Sequence, residues 1–198
     1  IFIKKSMKVG LYFGSFNPIH VGHVELAKYL LHCTSLDEIW FVVSPQNPLK
    51  QTEKLLCDDM RLAMVRMAVA DVPNMKICDV EFHLSKPSYT IDTLTYLSKN
   101  YPSSDFTLII GSDNVPTFNK WKNYLEILKR YSIIVYPRQF SDISKERKDY
   151  PQMIFMEGAP LFKFSSTEVR ENIRQGKNFE SMVDALVFDF IQKYKLYR

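Results

Sequence analysis

Cysteine is scarce: Cys33, Cys57 and Cys78 are the only three in 198 residues. They form no C-x-x-C pair, and an odd count excludes a fully paired disulfide framework. Buried or incidental thiols in a reducing cytoplasm are the simplest account. Long apolar runs are missing as well. No stretch approaches the ~20 residues a membrane-spanning helix needs, and Ile1-Phe-Ile3 before Lys4-Lys5 is too short for a secretory signal. Charge of one sign is not concentrated either. Lys and Arg number 26 against 22 Asp and Glu, a net +4 that is scattered along the chain. That distribution gives no basic stripe for nucleic acid, though it suits small anionic ligands. The dense run Lys145-Glu-Arg-Lys-Asp149 carries both signs and reads as a solvated loop. There is no G-x-S-x-G elbow, no H-E-x-x-H, no internal repeat and no low-complexity tract.

What remains is an ordinary globular composition, 46% hydrophobic and 24% charged, long enough to bury a substantial core. No linker divides it. Residues 7–198 read as a single domain, with 160–198 a C-terminal helical part. Residues 1–6, which precede Met7 and the first strand, read as a leader or an artificial extension. Nothing in the sequence excludes a homo-oligomer.

Short apolar runs alternate with segments of helical period. Lys8 to Phe13 is strand-like, and Val21, Val24, Ala27 and Leu31 then recur on one helical face. Ile39 to Val43 reads as a buried strand, and Met60 to Ala68 as a helix stopping near Pro73. Met75 to Val80 is a third strand, followed by a helix marked by Ile91, Leu94 and Leu97. Phe106 to Ile110 is a strand, Trp121 to Leu128 a helix, Ser132 to Tyr136 a fifth strand, and Met153 to Met156 a possible sixth. Ser165-Ser-Thr-Glu168 has the S-x-x-E form of a capping box opening a helix that stops at Gly176. An amphipathic helix from Val183 to Tyr194 follows. This alternation predicts βαβ units: an α/β, Rossmann-like parallel sheet of five or six strands with helices on both faces. Ligands of such sheets bind at the carboxyl ends of strands, and the unusual residues of this chain cluster there.

The densest cluster is "GSFNPIHVGH", residues 14 to 23. It holds two of the six glycines and two of the four histidines. Gly14 and Ser15 follow a strand and precede a helix start, where free N–H groups and the positive dipole end favour an anion. His20 and His23, three apart, share a face. If at least partly protonated, they would stabilise charge on a phosphoryl group. The spacing does not suit zinc, since His32-Cys33 lies more than two turns away.

The string resembles the G-x-F-x-P-x-H-x-G-H signature of the H-x-G-H nucleotidyltransferase superfamily. "KPSYTIDTL" (86–94), "LIIGSDN" (108–114), Trp121 and "FSSTEVR" (164–170) are similar, in order, to further motifs of the bacterial nicotinate mononucleotide adenylyltransferase family. The resemblance implies attack of the phosphate of nicotinate mononucleotide on the α-phosphorus of ATP. Deamido-NAD forms and pyrophosphate leaves, with Mg2+ carried by the ATP phosphates and no covalent intermediate. It implies a catalytic role for His20 and His23. ATP contacts fall on Gly14, Ser15, Phe16, His20, His23, Lys50, Gly111, Asp113, Ser165, Ser166, Thr167 and Arg170. Pyridine-nucleotide contacts fall on Asn17, Tyr89, Thr90 and Trp121.

The sequence departs from the family at Leu49, where relatives often have histidine, at Asn17, where they often have Asp, and at Phe164 in place of Ile. The proline-flanked segment 44–56 reads as a lid. The rival readings are phosphopantetheine adenylyltransferase, which shares the first motif, and a non-catalytic nucleotide-sensing module. The S-Y-T-x-D-T-L segment with Trp121 weighs against the first, and intact His20, His23 and Arg170 against the second.

Overall fold

The structure, a computed structural model, describes residues 6–45, 55–138 and 144–198. Among these residues the strands are β1 (Met7–Gly14), β2 (Glu38–Val43), β3 (Met75–Cys78), β4 (Ser104–Gly111), β5 (Ser132–Tyr136) and β6 (Ile154–Phe155). They form one six-stranded sheet in the order β3-β2-β1-β4-β5-β6, parallel throughout. The helices are α1 (Val21–Cys33), α2 (Asp58–Val69), α3 (Thr90–Asn100), α4 (Tyr124–Arg130), α5 (Ser144–Asp149), α6 (Ser166–Arg174) and α7 (Ala185–Tyr194).

Period-two alternation in the strands builds a core on each face. Ile39, Phe41, Ile109, Ile134 and Tyr136 pack with α1, α2 and α7 through Leu30, Met64, Val65 and Ile191. Val9, Leu11, Val42, Leu108, Ile110 and Val135 pack with α3 and α4 through Leu94, Leu97 and Ile127. Side chains of a strand point alternately to opposite faces. That is why these runs are apolar at every position. The chain reverses its direction of growth between β1 and β4, the switch point where a crevice opens at the carboxyl ends.

Three boundaries differ from the sequence reading. The third strand ends at Cys78 rather than Val80, because Val80–Phe82 turns into a 3-10 helix. The helix expected from Trp121 begins at Tyr124. Ser112–Lys120 is instead a 3-10 helix containing Pro116, whose missing N–H disfavours a longer α-helix, and Asn123 stands in the left-handed region at φ 51°. The last helix starts at Ala185 after a 3-10 turn, capped by Asp184, which accepts from the Leu186 N–H. The mixed-sign run 145–149, read as a loop, is instead helical, within α5, since Lys, Glu and Arg are good helix formers. At the remaining helix ends the local signals act as read. Ser165 Oγ accepts from the Glu168 N–H at 3.4 Å, and Gly176 takes φ 65° just past α6.

Arg61, on α2, has the largest of the wholly buried side chains. Its guanidinium donates to the carbonyls of Leu56 (3.0 Å), Ser44 (2.8 Å), Pro45 (3.0 Å) and Ser15, and pairs with Asp58. One cation thus closes the open carbonyls of the loops after β1 and β2, both of which end at the crevice. Sequence periodicity placed this arginine on a helix without marking it as interior. We expect Arg61→Met to lower the free energy of unfolding by about 3–5 kcal/mol, because several buried acceptors lose their donor at once. Chemical denaturation measures this, and a loss under about 1 kcal/mol would show that the loops hold themselves.

Candidate active site

A cavity of about 440 Å³ opens at the carboxyl ends of β1, β4 and β5, between the ends of α1, α3 and α6. Gly14, Ser15, Phe16, His20 and His23 reach it from the β1–α1 loop, and Gly111 and Asp113 from the end of β4. Ser165, Ser166, Thr167 and Arg170 reach it from the start of α6, and Tyr89, Thr90 and Trp121 line the far end. Two site residues stand apart. Asn17, expected at the substrate, is buried beneath the loop and does not line the cavity. Lys50, with most of the suspected lid, lies outside the described residues.

The two glycines of the opening motif have steric reasons. A Cβ on Gly14 would sit 2.8 Å from the ring of Phe16, which lies in the core against Tyr12 and Phe41. A Cβ on Gly22 would meet Phe162 at 2.9 Å and the His20 ring at 3.0 Å. Glycine at 22 lets the first turn of α1 close over the imidazole.

His20 and His23 stack with ring centroids 3.6 Å apart and planes 28° apart. Phe164 meets His20 edge-on at 5.5 Å, and Phe16 meets His23 at 5.1 Å. The backbone N–H of His20 donates to Nδ1 of His23 at 3.1 Å. An accepting Nδ1 leaves the proton of a neutral ring on Nε2, so His23 is a donor there. Partly protonated rings were expected, and the structure differs. Burial first, then the Arg138 charge, pull the His20 pKa down to about 3. Burial, His20 and Arg138 hold His23 well below the usual imidazole range. Without ligand, both rings are neutral hydrogen-bonding groups at neutral pH.

At the histidine end the permanent positive charge belongs to arginine, with Lys120 and Lys122 at the other end of the cavity. Arg138, just after β5, donates Nη2–H to the Tyr136 hydroxyl at 3.0 Å and lies 3.6 Å from Asp113 Oδ1. Burial works against its charge, but Tyr136, Tyr12 and Asp113 hold it protonated far above the pH of any assay. The sequence reading missed Arg138, since "YPRQF" matches no phosphate-loop pattern. Its place directly after a strand was the available signal. Arg170 is nearly buried, with Nη1 on the Asn17 carbonyl at 2.7 Å and Nη2 on Thr167 Oγ1 at 3.2 Å. Ser166 Oγ donates to the Pro18 carbonyl at 2.8 Å, so α6 is tied to the first loop.

At the far end, α3 begins after Tyr89 with no side chain capping it. Ser88, the residue before that N-cap, does not cap the helix. Ser88 Oγ donates instead to Glu81 Oε2 at 3.3 Å, and Thr93 Oγ1 to Glu81 Oε1 at 2.8 Å. Glu81 is buried, which raises its pKa against these bonds, and it was not foreseen from sequence. Thr90, the first residue of α3, therefore lines the cavity with its N–H free of a side-chain cap. Trp121 stands beside them at the end of the 3-10 helix, 5.2 Å from Phe118. Lys122 is 4.7 Å from the Tyr89 ring centroid and 2.9 Å from Asp92. Among the described residues no group of three or more His, Cys, Asp or Glu is arranged to hold a metal ion.

The cytidylyltransferase-like family model matches residues 11–172. A protein of Cytophaga hutchinsonii, named "probable nicotinate-nucleotide adenylyltransferase", is 46% identical over 96% of this chain and 98% of its own. A protein of the same name from Flavobacterium psychrophilum is 43% identical over 97% of this chain and the whole of its own. Among solved structures, the nicotinic acid mononucleotide adenylyltransferase of Plasmodium falciparum complexed with NaAD superposes with a TM-score of 0.80. It is 21% identical and covers 96% of this chain and 97% of its own. The fold is shared at that distance, and the sequence is shared with the bacterial relatives. The chain belongs to the cytidylyltransferase-like family, and within it to the nicotinate-nucleotide adenylyltransferases.

Proposed function

We propose that the chain transfers the adenylyl group of ATP to nicotinate mononucleotide, in the biosynthesis of NAD. A phosphate oxygen of the mononucleotide bonds to the α-phosphorus of ATP as the bond to the β-phosphate breaks. Deamido-NAD forms and pyrophosphate leaves with the electron pair. The observation that carries this reading is the meeting of four sequence-distant segments, 14–23, 88–90, 111–121 and 165–170, around one cavity. No nucleophilic side chain is needed, so catalysis is positioning and charge stabilisation.

In this reading the amides of Gly14 to Phe16 and the start of α6, with Ser165, Ser166, Thr167 and Arg170, hold the triphosphate. Asp113 accepts from ribose hydroxyls beside Gly111. His23 Nε2–H, and His20 beside it, donate to the phosphoryl oxygens as charge builds on them. Arg138 adds a fixed positive charge to that end. Trp121 lies against the pyridine ring, and the open amides at Tyr89-Thr90 take its carboxylate. Mg2+ fits as a companion of the substrate. Of the two cavity carboxylates, Glu81 is buried on Ser88 and Thr93, which leaves Asp113, and this suits an ion that keeps most of its ligands from phosphate and water. When bound, it would neutralise phosphate charge. The three cysteines carry no disulfide and no described helix is long and apolar enough to cross a membrane. We assign the enzyme to the cytoplasm.

His23→Ala should lower kcat by about a hundredfold or more while changing KM for ATP little, since one contact to a developing oxyanion contributes roughly 3 kcal/mol. Steady-state kinetics decide it, and activity within a few-fold of wild type would remove His23 from the chemistry.

The neutral histidines also tie stability to pH. A folded pKa below the unfolded value means that the unfolded chain binds more protons, so stability is intact above about pH 6.5 and falls as pH drops. Each ring contributes a slope of up to about 1.4 kcal/mol per pH unit below that point. In the ligand-free protein, His20→Asn should show a visibly shallower loss between pH 6.5 and 5 than wild type. Identical slopes would mean that His20 titrates normally.

The reaction itself is tested by substrate choice. With ATP and Mg2+ fixed, kcat/KM should favour nicotinate over nicotinamide mononucleotide by roughly 5- to 150-fold. The carboxamide NH2 leaves a buried N–H donor unsatisfied, costing about 1–3 kcal/mol. Equal values would refute the carboxylate pocket. No release of pyrophosphate with either substrate would leave a non-catalytic nucleotide-binding role.

A further inference from the structure

Asn17 is 1% exposed and sits under the loop that carries the glycine and serine of the nucleotide site. Its Oδ1 accepts twice, from the backbone N–H of Leu56 at 3.2 Å and from the hydroxyl of Tyr197 at 3.0 Å. Its carbonyl accepts from Arg170 at 2.7 Å, while its Nδ2 has no hydrogen-bond partner. The side chain is therefore oriented by what Oδ1 receives, and one of those two donors lies 180 residues away in sequence.

The far donor is delivered by a specific backbone path. Past α7, Lys195 takes φ 51°, its N–H bonding the Gln192 carbonyl, while the Leu196 N–H reaches back to the Ile191 carbonyl. This is a Schellman-type stop, with Leu196 buried behind it. Tyr197 then adopts φ 65°, a region that is an outlier for a bulky aromatic residue and persists only where surrounding contacts hold it. Burial pushes its phenol up, with Arg170 and Arg61 acting the other way, so the hydroxyl keeps its proton. The segment before α2, helix α6 and the segment after α7 all converge on one buried asparagine.

We infer that Tyr197 is a positioning residue for the nucleotide loop, acting through Asn17. It fixes the loop from below, and with it the Asn17 carbonyl that holds Arg170 at the cavity wall. Helix α7 thus serves the site as well as the core. The Asn17–Tyr197 bond involves no residue of α3 or of the 3-10 helix before Trp121, so the pyridine end is expected to respond far less to its loss.

The inference rests on the ATP reading of the cavity, and binding separates the two. Calorimetry with a non-hydrolysable ATP analogue gives the nucleotide Kd, and steady-state kinetics give both KM values. Tyr197→Phe removes one oxygen and keeps the ring. It should raise the analogue Kd and KM for ATP by about 3- to 10-fold, the effect of one hydrogen bond. KM for the mononucleotide should stay within about twofold. Asn17→Ala should do at least as much, and the double variant no more than Asn17→Ala alone, because the two act through one bond. Unchanged nucleotide affinity with a lowered Tm would make Tyr197 merely structural and overturn the inference. So would additive effects, or equal weakening of both substrates. If Asn17→Ala does not fold, the contrast between the two substrates in Tyr197→Phe decides alone. A wild-type protein that binds the analogue but forms no deamido-NAD would overturn the proposed reaction and leave this comparison intact.

Discussion

The hydrogen bond from the His20 amide to Nδ1 of His23 is the constraint on which the site turns. It is the returning arm of a capping box, with histidine where Glu or Gln usually stands. A capping carboxylate would satisfy the same orphan amide but add a negative charge where the proposed reaction places phosphates. Imidazole satisfies it without that charge, and the bond sets the tautomer so that Nε2 keeps a proton to donate. The stacked ring of His20, the absent Cβ at Gly22 and the edge of Phe164 all follow from packing two rings into the first turn of α1. In the proposed reaction, helix capping and phosphate recognition fall to one side chain.

Much of this was legible in the sequence, and the reason is locality. The apolar runs of β1, β2, β4 and β5 report burial on two faces directly, and the strand-end clustering of glycine, histidine and hydroxyl residues follows from the parallel topology. The motif residues lie a few positions apart and are read as units. What escaped lies across long separations or depends on environment. Arg61 has the helical spacing of a surface residue, yet it is buried because four loop carbonyls need donors. Asn17 stands inside the motif, yet its side chain answers to Tyr197. Glu81 is one carboxylate among many until Ser88 and Thr93 fold onto it.

The helix expected at Trp121 shows the same limit from the other side. Apolar spacing favoured a helix there, but Pro116 and the left-handed Asn123 divide the segment. The consequence is functional in position: Trp121 stands at a junction, half-exposed at the cavity wall, rather than packed along a helix face. A tryptophan buried in a helix face would have its ring covered on both sides. At a junction one side stays open.

The electrostatics of the cavity have a logic that the neutral histidines make visible. Burial strips both rings of their charge, and the nearby guanidinium of Arg138 deepens the effect. Arg138 and Arg170 already spend part of their donor capacity on Tyr136, Asn17 and Thr167. Fixed positive charge around the histidines is thus limited and shared; Lys120 and Lys122 lie at the far end, Lys122 paired with Asp92, and the groups nearest the histidines include many neutral N–H and O–H donors. A pocket of unopposed cations would hold substrate triphosphate and released pyrophosphate alike, and tight binding of both ground states does nothing for the rate of transfer. Neutral donors aimed at the phosphoryl oxygens strengthen most when negative charge concentrates there, which happens only in the transition state. In the proposed reaction, the burial that looks unfavourable for two histidines without ligand would make their contribution selective for the moment of transfer.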